Sequence, residues 1–406
     1  MSLRGLARYG WLACTLLVTA RLAAQELVAS PAAAPKVVAA AAVAPKMAAP
    51  TAPAALPRVS FKSHYLVDFT TGEVLSASGA DVQLAPASLT KLMTAYVVFG
   101  ALTSGRIRLD DRARVSEKAW RMGGTRMFIE VNSEVGVEDL LRGLLIQSGN
   151  DAAVALAEHV SGSVEAFVGE MNAAAKALGM QDSVFRNPHG LPARGHVTTA
   201  HDLAVLAKAI IGEFPDFYSL YAEREFSYNG IAQNNRNALL WRDPSVDGMK
   251  TGYTEAAGYC LVSSATRGGM RLIAVVMGAP SARLRNDGAQ KLLEYGFANF
   301  ETVKLYSAGQ EIDHTRVWGG ELEYTGLGLT EDVYVTIPRG GYSKLTATMN
   351  VLAQLAAPLA RGTAVGEVKI SFDGTPLANS PLVVLTNVLD GGVWARMRDE
   401  LQHLWE

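Results

Sequence analysis

The sequence predicts an α/β (α+β) domain, an antiparallel sheet flanked by helices. A small all-β domain and a C-terminal amphipathic helix follow it. Three observations carry this. Between residues 87 and 300, runs with apolar residues at helical spacing alternate with paired strand-like runs. After about residue 300 the runs are short, strand-like and separated by Gly, Pro or Asp. The closing stretch GGVWARMRDELQHLWE then separates apolar and polar side chains onto opposite sides of a helix.

Composition bounds the function. The chain has 406 residues, 49% hydrophobic and 19% charged, enough to bury cores for two domains. A net charge of −2 gives no general case for nucleic acid as a partner. The cysteines are Cys14 and Cys260, with no CxxC pair or His/Cys cluster to suggest a metal site. Cys260 reads as a small buried hydrophobe.

Residues 1–24 read as a signal peptide. Arg4 and Arg8 form a basic region, residues 11–20 an apolar core, and Leu22-Ala23-Ala24 a small-residue cleavage site. The apolar run falls short of the ~20 residues that span a bilayer, and Arg21 interrupts it. Residues 25–57 are mostly Ala, Pro and Val; prolines 31, 35, 45, 50, 53 and 57 make this an extended linker.

The α/β domain is expected over 58–299. SHYLVDFTTGEVLSAS reads as a hairpin, with Tyr65, Val67 and Phe69 alternating before a turn at Thr70-Thr71-Gly72. DLLRGLLIQSGNDAAVALAEHV and SVEAFVGEMNAAAKALGM carry helical periodicity. TTAHDLAVLAKAIIGEF opens with Thr199 and Asp202 in capping-box order, Asp standing for Glu. GYCLVSSATRGGMRLIAVVMG is a second hairpin. Residues 300–388 form the β-sandwich domain, and 389–406 the terminal helix. Val393, Trp394, Met397, Leu401, Leu404 and Trp405 fall within about 120° of its circumference, opposite Arg396, Asp399, Gln402 and His403. Such a stripe can pack on its own domain. Two tryptophans after a Gly-Gly break favour an in-plane membrane anchor, too short and too charged to span.

The chemistry centres on APASLTKLMTAY. Ser88 and Lys91 share a face at i and i+3 of a helix whose other residues are small or apolar. Burial there disfavours the ammonium, and a neutral amine beside a hydroxyl is the base a serine nucleophile needs. The helix N-terminus adds N–H groups for a developing oxyanion. Alone, an SxxK spacing means little. Ser148-Gly149-Asn150 follows 60 residues after Ser88, its glycine permitting a tight turn that points Ser148 and Asn150 into one cleft. Lys250-Thr251-Gly252 follows 102 residues later, where Gly252 on a strand suggests close approach of a ligand backbone.

The ordered set SxxK, SxN, KTG is that of penicillin-binding proteins and class A β-lactamases. LVDFTTGEVL, PASLTKLMTAY, IQSGNDA, NPHGL, NNRNALLW, VDGMKTGYT and FETVKLY extend the likeness from about residue 60 to the C-terminus. Together they resemble the D-alanyl-D-alanine carboxypeptidases, low-molecular-mass penicillin-binding proteins of the serine peptidase type. The resemblance implies a penicillin-binding/β-lactamase-like catalytic domain. It assigns Ser88 as nucleophile, Lys91 as its base and Ser148 as proton relay to the departing D-alanine. Asn150 would orient the substrate amide and the lysines; Lys250 would supply positive potential. Thr251 and Arg285 would hold the substrate's terminal carboxylate, and the N–H groups of Ser88 and Tyr253 would form the oxyanion hole. Tyr253 departs from a common pattern, since several members carry His after KTG.

The implied partners are peptidoglycan stem peptides, β-lactams as covalent inhibitors, and the inner-membrane surface through the terminal helix. The implied location is the periplasm, peripherally anchored to the inner membrane. Rival readings are a β-lactamase, a D,D-endopeptidase cutting crosslinks, and a non-catalytic wall-binding scaffold. Against the first, VFRNPHGLPARGHV contains no carboxylate to activate a deacylating water. His189, between Pro188 and Gly190, reads as a turn histidine and not as part of a Ser–His–Asp set with Asp151 or Asp202. Asp151 reads as a helix-dipole carboxylate.

Overall fold

The computed structural model describes residues 36–38 and 60–403. The expected signal peptide, most of the expected linker, Leu404 and Trp405 lie outside the described residues. The catalytic domain is built on a five-stranded antiparallel sheet in the order Val74–Ser78, Ser63–Asp68, Met270–Ala279, Gly258–Arg267, Val246–Thr254. Both predicted hairpins are present. Gly268 and Gly269 turn the second with φ of +55° and +84°, the two consecutive left-handed positions of a two-residue turn.

The central strand Met270–Ala279 shows why RLIAVVMG lacks polar alternation. Leu272, Ala274 and Val276 pack with Leu292, Leu293 and Phe297 on one face of the sheet. Ile273, Val275 and Met277 pack with Phe99, Leu206 and Ile210 on the other. A strand covered on both faces is apolar throughout.

Helices Thr90–Thr103, Asn150–Ser161, Val164–Ala177 and Ala200–Glu213 share the larger core. Ser163 Oγ caps its helix by accepting from Ala166 N–H at 3.1 Å. At the next helix Thr199 Oγ1 accepts from Asp202 N–H at 3.0 Å, but the reciprocal half of the capping box is absent. Asp202 instead accepts from Ser183 Oγ (2.6 Å) and Asp182 N–H (3.1 Å), tying in the preceding loop. The helical stretch expected over 139–160 divides into Val137–Arg142, a π-turn at Gly143–Gln147, and Asn150–Ser161.

The second domain has a seven-stranded sheet and a two-stranded one, Phe300–Tyr306 with Val333–Pro338. Thr375–Val384 forms one continuous strand through Pro376 and Pro381. At the sheet edge Lys36–Val38, from the linker, pairs antiparallel with Ala347–Met349. The helix Gly392–His403 buries Ala395 and Asp399 against this domain. Asp399 accepts from Gly319 N–H and from Arg316 Nη2 at 3.1 Å. Val393, Trp394, Met397 and Leu401 are left exposed. Among the described residues no helix is long and apolar enough to cross a membrane.

The two domains meet at Asp68, which is fully buried. Its Oδ1 accepts from Thr71 N–H at 2.7 Å and Thr71 Oγ1 at 3.0 Å. Its Oδ2 accepts from Thr302 Oγ1 of the second domain at 2.7 Å. Removing the carboxylate strands these donors, so Asp68→Ala should cost about 2–3 kcal/mol of unfolding free energy. Urea denaturation of the full chain measures it, and a loss below about 0.5 kcal/mol would remove Asp68 from this role.

Candidate active site

The residues singled out by spacing converge on one cleft. Ala87 is a non-glycine residue at φ +48°, and it turns the chain into the short 3-10 segment Ala87–Leu89 ahead of helix Thr90–Thr103. Ser88 sits on that turn and Lys91 in the first turn of the helix. Lys91 is fully buried, as the apolar surroundings of the SxxK stretch suggest.

Its amine has three neighbours: Asn150 Oδ1 at 2.7 Å, the His189 carbonyl at 2.7 Å and Ser88 Oγ at 3.1 Å. Burial lowers the Lys91 pKa well below its ordinary value; the Lys250 charge adds to this, and Asp151 opposes it. A neutral amine has two N–H bonds and one lone pair. The two carbonyl oxygens can only accept, so they take the N–H groups and leave the lone pair for the hydroxyl of Ser88. Asn150 cannot flip out of this arrangement, because its Nδ2 donates to the Gly123 carbonyl at 2.7 Å.

Ser148 and Asn150 flank a break in the helix. The π-turn Gly143–Gln147 ends at Ser148 with φ +70°, and Gly149 N–H bonds back to the Gly143 carbonyl at 2.9 Å. π-Turns of this kind re-aim side chains at functional sites. Ser148 Oγ is buried with no hydrogen-bond partner among the described residues, and it lines the cleft. Asp151 does more than serve the helix dipole. It accepts from the N–H groups of Met127 (3.0 Å), Phe128 (2.9 Å) and Ala152 (2.9 Å), pinning the loop that brings Thr125 to the cleft wall.

Lys250, Thr251, Gly252 and Tyr253 lie on the edge strand Val246–Thr254. A Cβ on Gly252 would lie 3.1 Å from Ser88 N and 3.2 Å from Leu89 N, so a side chain there would crowd the strand against the turn that carries Ser88. Lys250 is buried and its Nζ donates to the Thr251 carbonyl at 3.2 Å. Burial, with Arg236 and Arg285 nearby, pushes its pKa down to about 7. Arg285 is also buried, with its pKa lowered to about 10 by desolvation, and bonds Asn286 at 3.0 Å. The cleft encloses about 470 Å³, lined by Ser88, Ser148, Thr251, Gly252, Tyr253 and Arg285 among others.

Four contributors had no spacing to reveal them. Arg236 lines the cleft and donates to the Gln147 carbonyl at 3.0 Å. Tyr259 stacks on Tyr253 with centroids 4.3 Å apart, and Thr125 completes the wall. His189 contributes its backbone carbonyl, while its ring Nδ1 accepts from Leu191 N–H at 3.1 Å. Cys260 is buried and unbridged. Among the described residues no group of three or more His, Cys, Asp or Glu side chains could hold a metal ion.

The electrostatic coupling has a pH consequence. With Lys91 as the base that takes the serine proton, the expectation is that activity rises with pH as Lys91 deprotonates. The Lys250 cation disfavours protonated Lys91. In Lys250→Gln that repulsion is gone, Lys91 holds its proton to higher pH, and the acid limb of the acylation profile moves upward. The rate should also fall about 10- to 100-fold with loss of a charged anchor. Stopped-flow acylation across pH checks both; an unmoved or downward-shifted limb would break the coupling.

Residues 48–281 match the family described as D-alanyl-D-alanine carboxypeptidase, and residues 300–389 match the penicillin-binding protein 5 C-terminal domain. The D-alanyl-D-alanine carboxypeptidase DacC of Escherichia coli is 44% identical over 88% of this chain and 93% of its own length. DacA of the same organism is 41% identical over 86% and 90%. Penicillin binding protein 5 of Haemophilus influenzae superposes with a TM-score of 0.78 at 42% identity, covering 83% of this chain and 99% of that structure. The chain belongs to the D-alanyl-D-alanine carboxypeptidase family, as a serine-type D-Ala-D-Ala carboxypeptidase with a penicillin-binding protein 5 C-terminal domain.

Proposed function

We propose that the chain removes the terminal D-alanine from peptidoglycan pentapeptides through an acyl-enzyme on Ser88. One observation carries this reading: a fully buried Lys91 whose two N–H groups are claimed by carbonyls, leaving its lone pair facing Ser88 Oγ. Lys91 takes the hydroxyl proton as Oγ attacks the penultimate carbonyl. The N–H groups of Ser88 and Tyr253 receive the oxyanion where Gly252 lets the strand approach. As the C–N bond breaks, Ser148, whose hydroxyl has no other partner among the described residues, gives its proton to the leaving amine and takes up the one held by Lys91. Asn150 holds Lys91 and orients the substrate amide. Lys250, Thr251 and Arg285 bind the terminal carboxylate, and that anion in turn favours protonated Lys250. Water then releases the shortened peptide.

β-Lactams enter the same cleft and acylate Ser88. The stretch 184–197 holds no carboxylate, so the penicilloyl adduct hydrolyses slowly. Trimming the stem peptide removes a crosslinking donor. The leader-like residues 1–24 support export to the periplasm. The exposed Val393, Trp394, Met397 and Leu401, on a helix docked through Asp399, support peripheral attachment to the inner membrane.

Three measurements test this. Fluorescent penicillin should label the peptide containing Ser88, and Ser88→Ala should lose both label and D-alanine release; unchanged release would favour a scaffold role. Purified protein should free D-alanine from a pentapeptide without consuming crosslinked dimers; the reverse preference identifies an endopeptidase, and rapid sustained penicillin turnover a β-lactamase. Deleting 391–406 should abolish co-sedimentation with anionic vesicles while leaving pentapeptide hydrolysis within about twofold; retained sedimentation would place the anchor elsewhere.

A further inference from the structure

We infer that His196 is a positioning residue of the acyl-transfer reaction: through Thr90 it holds the Ala87 carbonyl, and with it the turn that presents Ser88. The inference rests on Ser88 being the nucleophile.

His196 is only 4% exposed and Thr90 is fully buried. The Nδ1 of His196 lies 3.2 Å from Arg186 N–H, and its Nε2 lies 2.8 Å from Thr90 Oγ1. A backbone N–H can only donate, so Nδ1 carries the lone pair and the ring proton sits on Nε2. Nε2–H therefore donates to Thr90 Oγ1. The threonine proton then goes to the Ala87 carbonyl, 2.8 Å away. The chain Arg186 N–H, His196, Thr90, Ala87 carbonyl runs in one direction with no open end. Burial and the Arg186 charge push the imidazolium pKa down to about 4, so the neutral tautomer persists over the working pH range.

What this chain grips is unusual. Ala87 sits at φ +48°, a left-handed conformation that strains any residue carrying a Cβ. Its carbonyl also accepts the Thr90 N–H, and Gly190, at φ +90°, packs so closely that a Cβ there would strike the same oxygen. The Ala87–Ser88 peptide is thus fixed from three sides. Rotating it would move Ser88 Oγ away from Lys91 and Ser88 N–H away from the oxyanion position together. A histidine kept only for packing would need none of this directionality. Phe185, edge-on at 5.9 Å, already supplies the apolar contact.

The test follows acylation of the full chain by a fluorescent penicillin, with melting temperature measured beside it and rates normalised to folded protein. His196→Leu fills the space but strands Arg186 N–H and the threonine hydroxyl. Its acylation rate constant should fall about 10- to 100-fold with the half-saturating penicillin concentration unchanged, because a misplaced nucleophile loses the transition state and not the ground state. His196→Gln can accept from Arg186 through Oε1 and donate to Thr90 through Nε2, so it should return the rate to within about threefold of the parent. Thr90→Val breaks the same chain lower down and should reproduce the leucine effect. The double variant His196→Leu/Thr90→Val should be no more than about threefold slower than the slower single, since both cut one connection. Leucine at parental rate, glutamine as slow as leucine, or multiplicative losses would each overturn the inference. Mapping the label on the parent separates this from the nucleophile assignment, which fails only if a residue other than Ser88 is modified.

Discussion

Lys91 lies where an ammonium is expensive and two carbonyl oxygens are fixed, and most of the site's geometry can be traced to that conflict. Helix Thr90–Thr103 is buried on nearly every side, so the amine cannot reach water. Charged, it would sit close to Lys250 with no carboxylate among its three hydrogen-bond neighbours. Neutral, it satisfies Asn150 and His189 and leaves a lone pair for Ser88. Desolvation that would otherwise be only a stability cost keeps that lone pair free to accept from a hydroxyl. Holding both carbonyls in place then requires the rest. Asn150 needs Gly123 behind it and the left-handed Ser148 before it, and His189 needs the turn closed by Asn187 and Gly190.

The parts of this that could be read from the chain were those with side-chain identity and spacing behind them. Ser88 and Lys91 share a helical face, and Gly252 announces a close approach on a strand. Apolar runs flanking Gly268-Gly269 can hardly be anything but a hairpin. Backbone contributions stayed hidden, because every residue owns a carbonyl and nothing distinguishes that of His189 until the chain is folded. The π-turn at Gly143–Gln147 was equally silent, since five residues are too few for one helical period to be told from another. Arg236 and Tyr259 enter the cleft through tertiary placement, Tyr259 by its register opposite Tyr253. Thr199 and Asp202 look like a reciprocal cap, yet Ser183 and Asp182 compete for the carboxylate and win it.

The terminal helix reverses the usual burial rule. A helix lying on its own domain ordinarily turns its apolar stripe inward. Here the inward contacts are Ala395 and Asp399, with Asp399 bonded to Gly319 N–H and Arg316, while two full turns of large apolar side chains face out. Orientation is set by a charged bond of definite geometry and not by hydrophobic fit. That leaves the apolar face available to a second solvent. Tryptophan at such a position suits a bilayer interface, where one side of the ring is apolar and the other wet.

The loop over 184–197 shows how one region can serve opposite chemistries in related enzymes. A class A β-lactamase places there a glutamate that activates water. In this chain the same stretch hands over carbonyls and a neutral imidazole. His189 accepts from Lys91, Pro188 accepts from Thr94 at 2.6 Å, and His196 bonds Thr90. All three partners lie on the first turns of the helix that follows Ser88. A backbone carbonyl is far too weak a base to deprotonate water, and His196 has both ring nitrogens committed. The loop therefore braces the helix that follows Ser88 without offering a second base, and under the proposed mechanism deacylation draws on Lys91 and Ser148, the groups that would also make the acyl-enzyme. Such an arrangement favours a substrate whose leaving group departs and vacates the cleft. It traps one whose leaving group stays tethered.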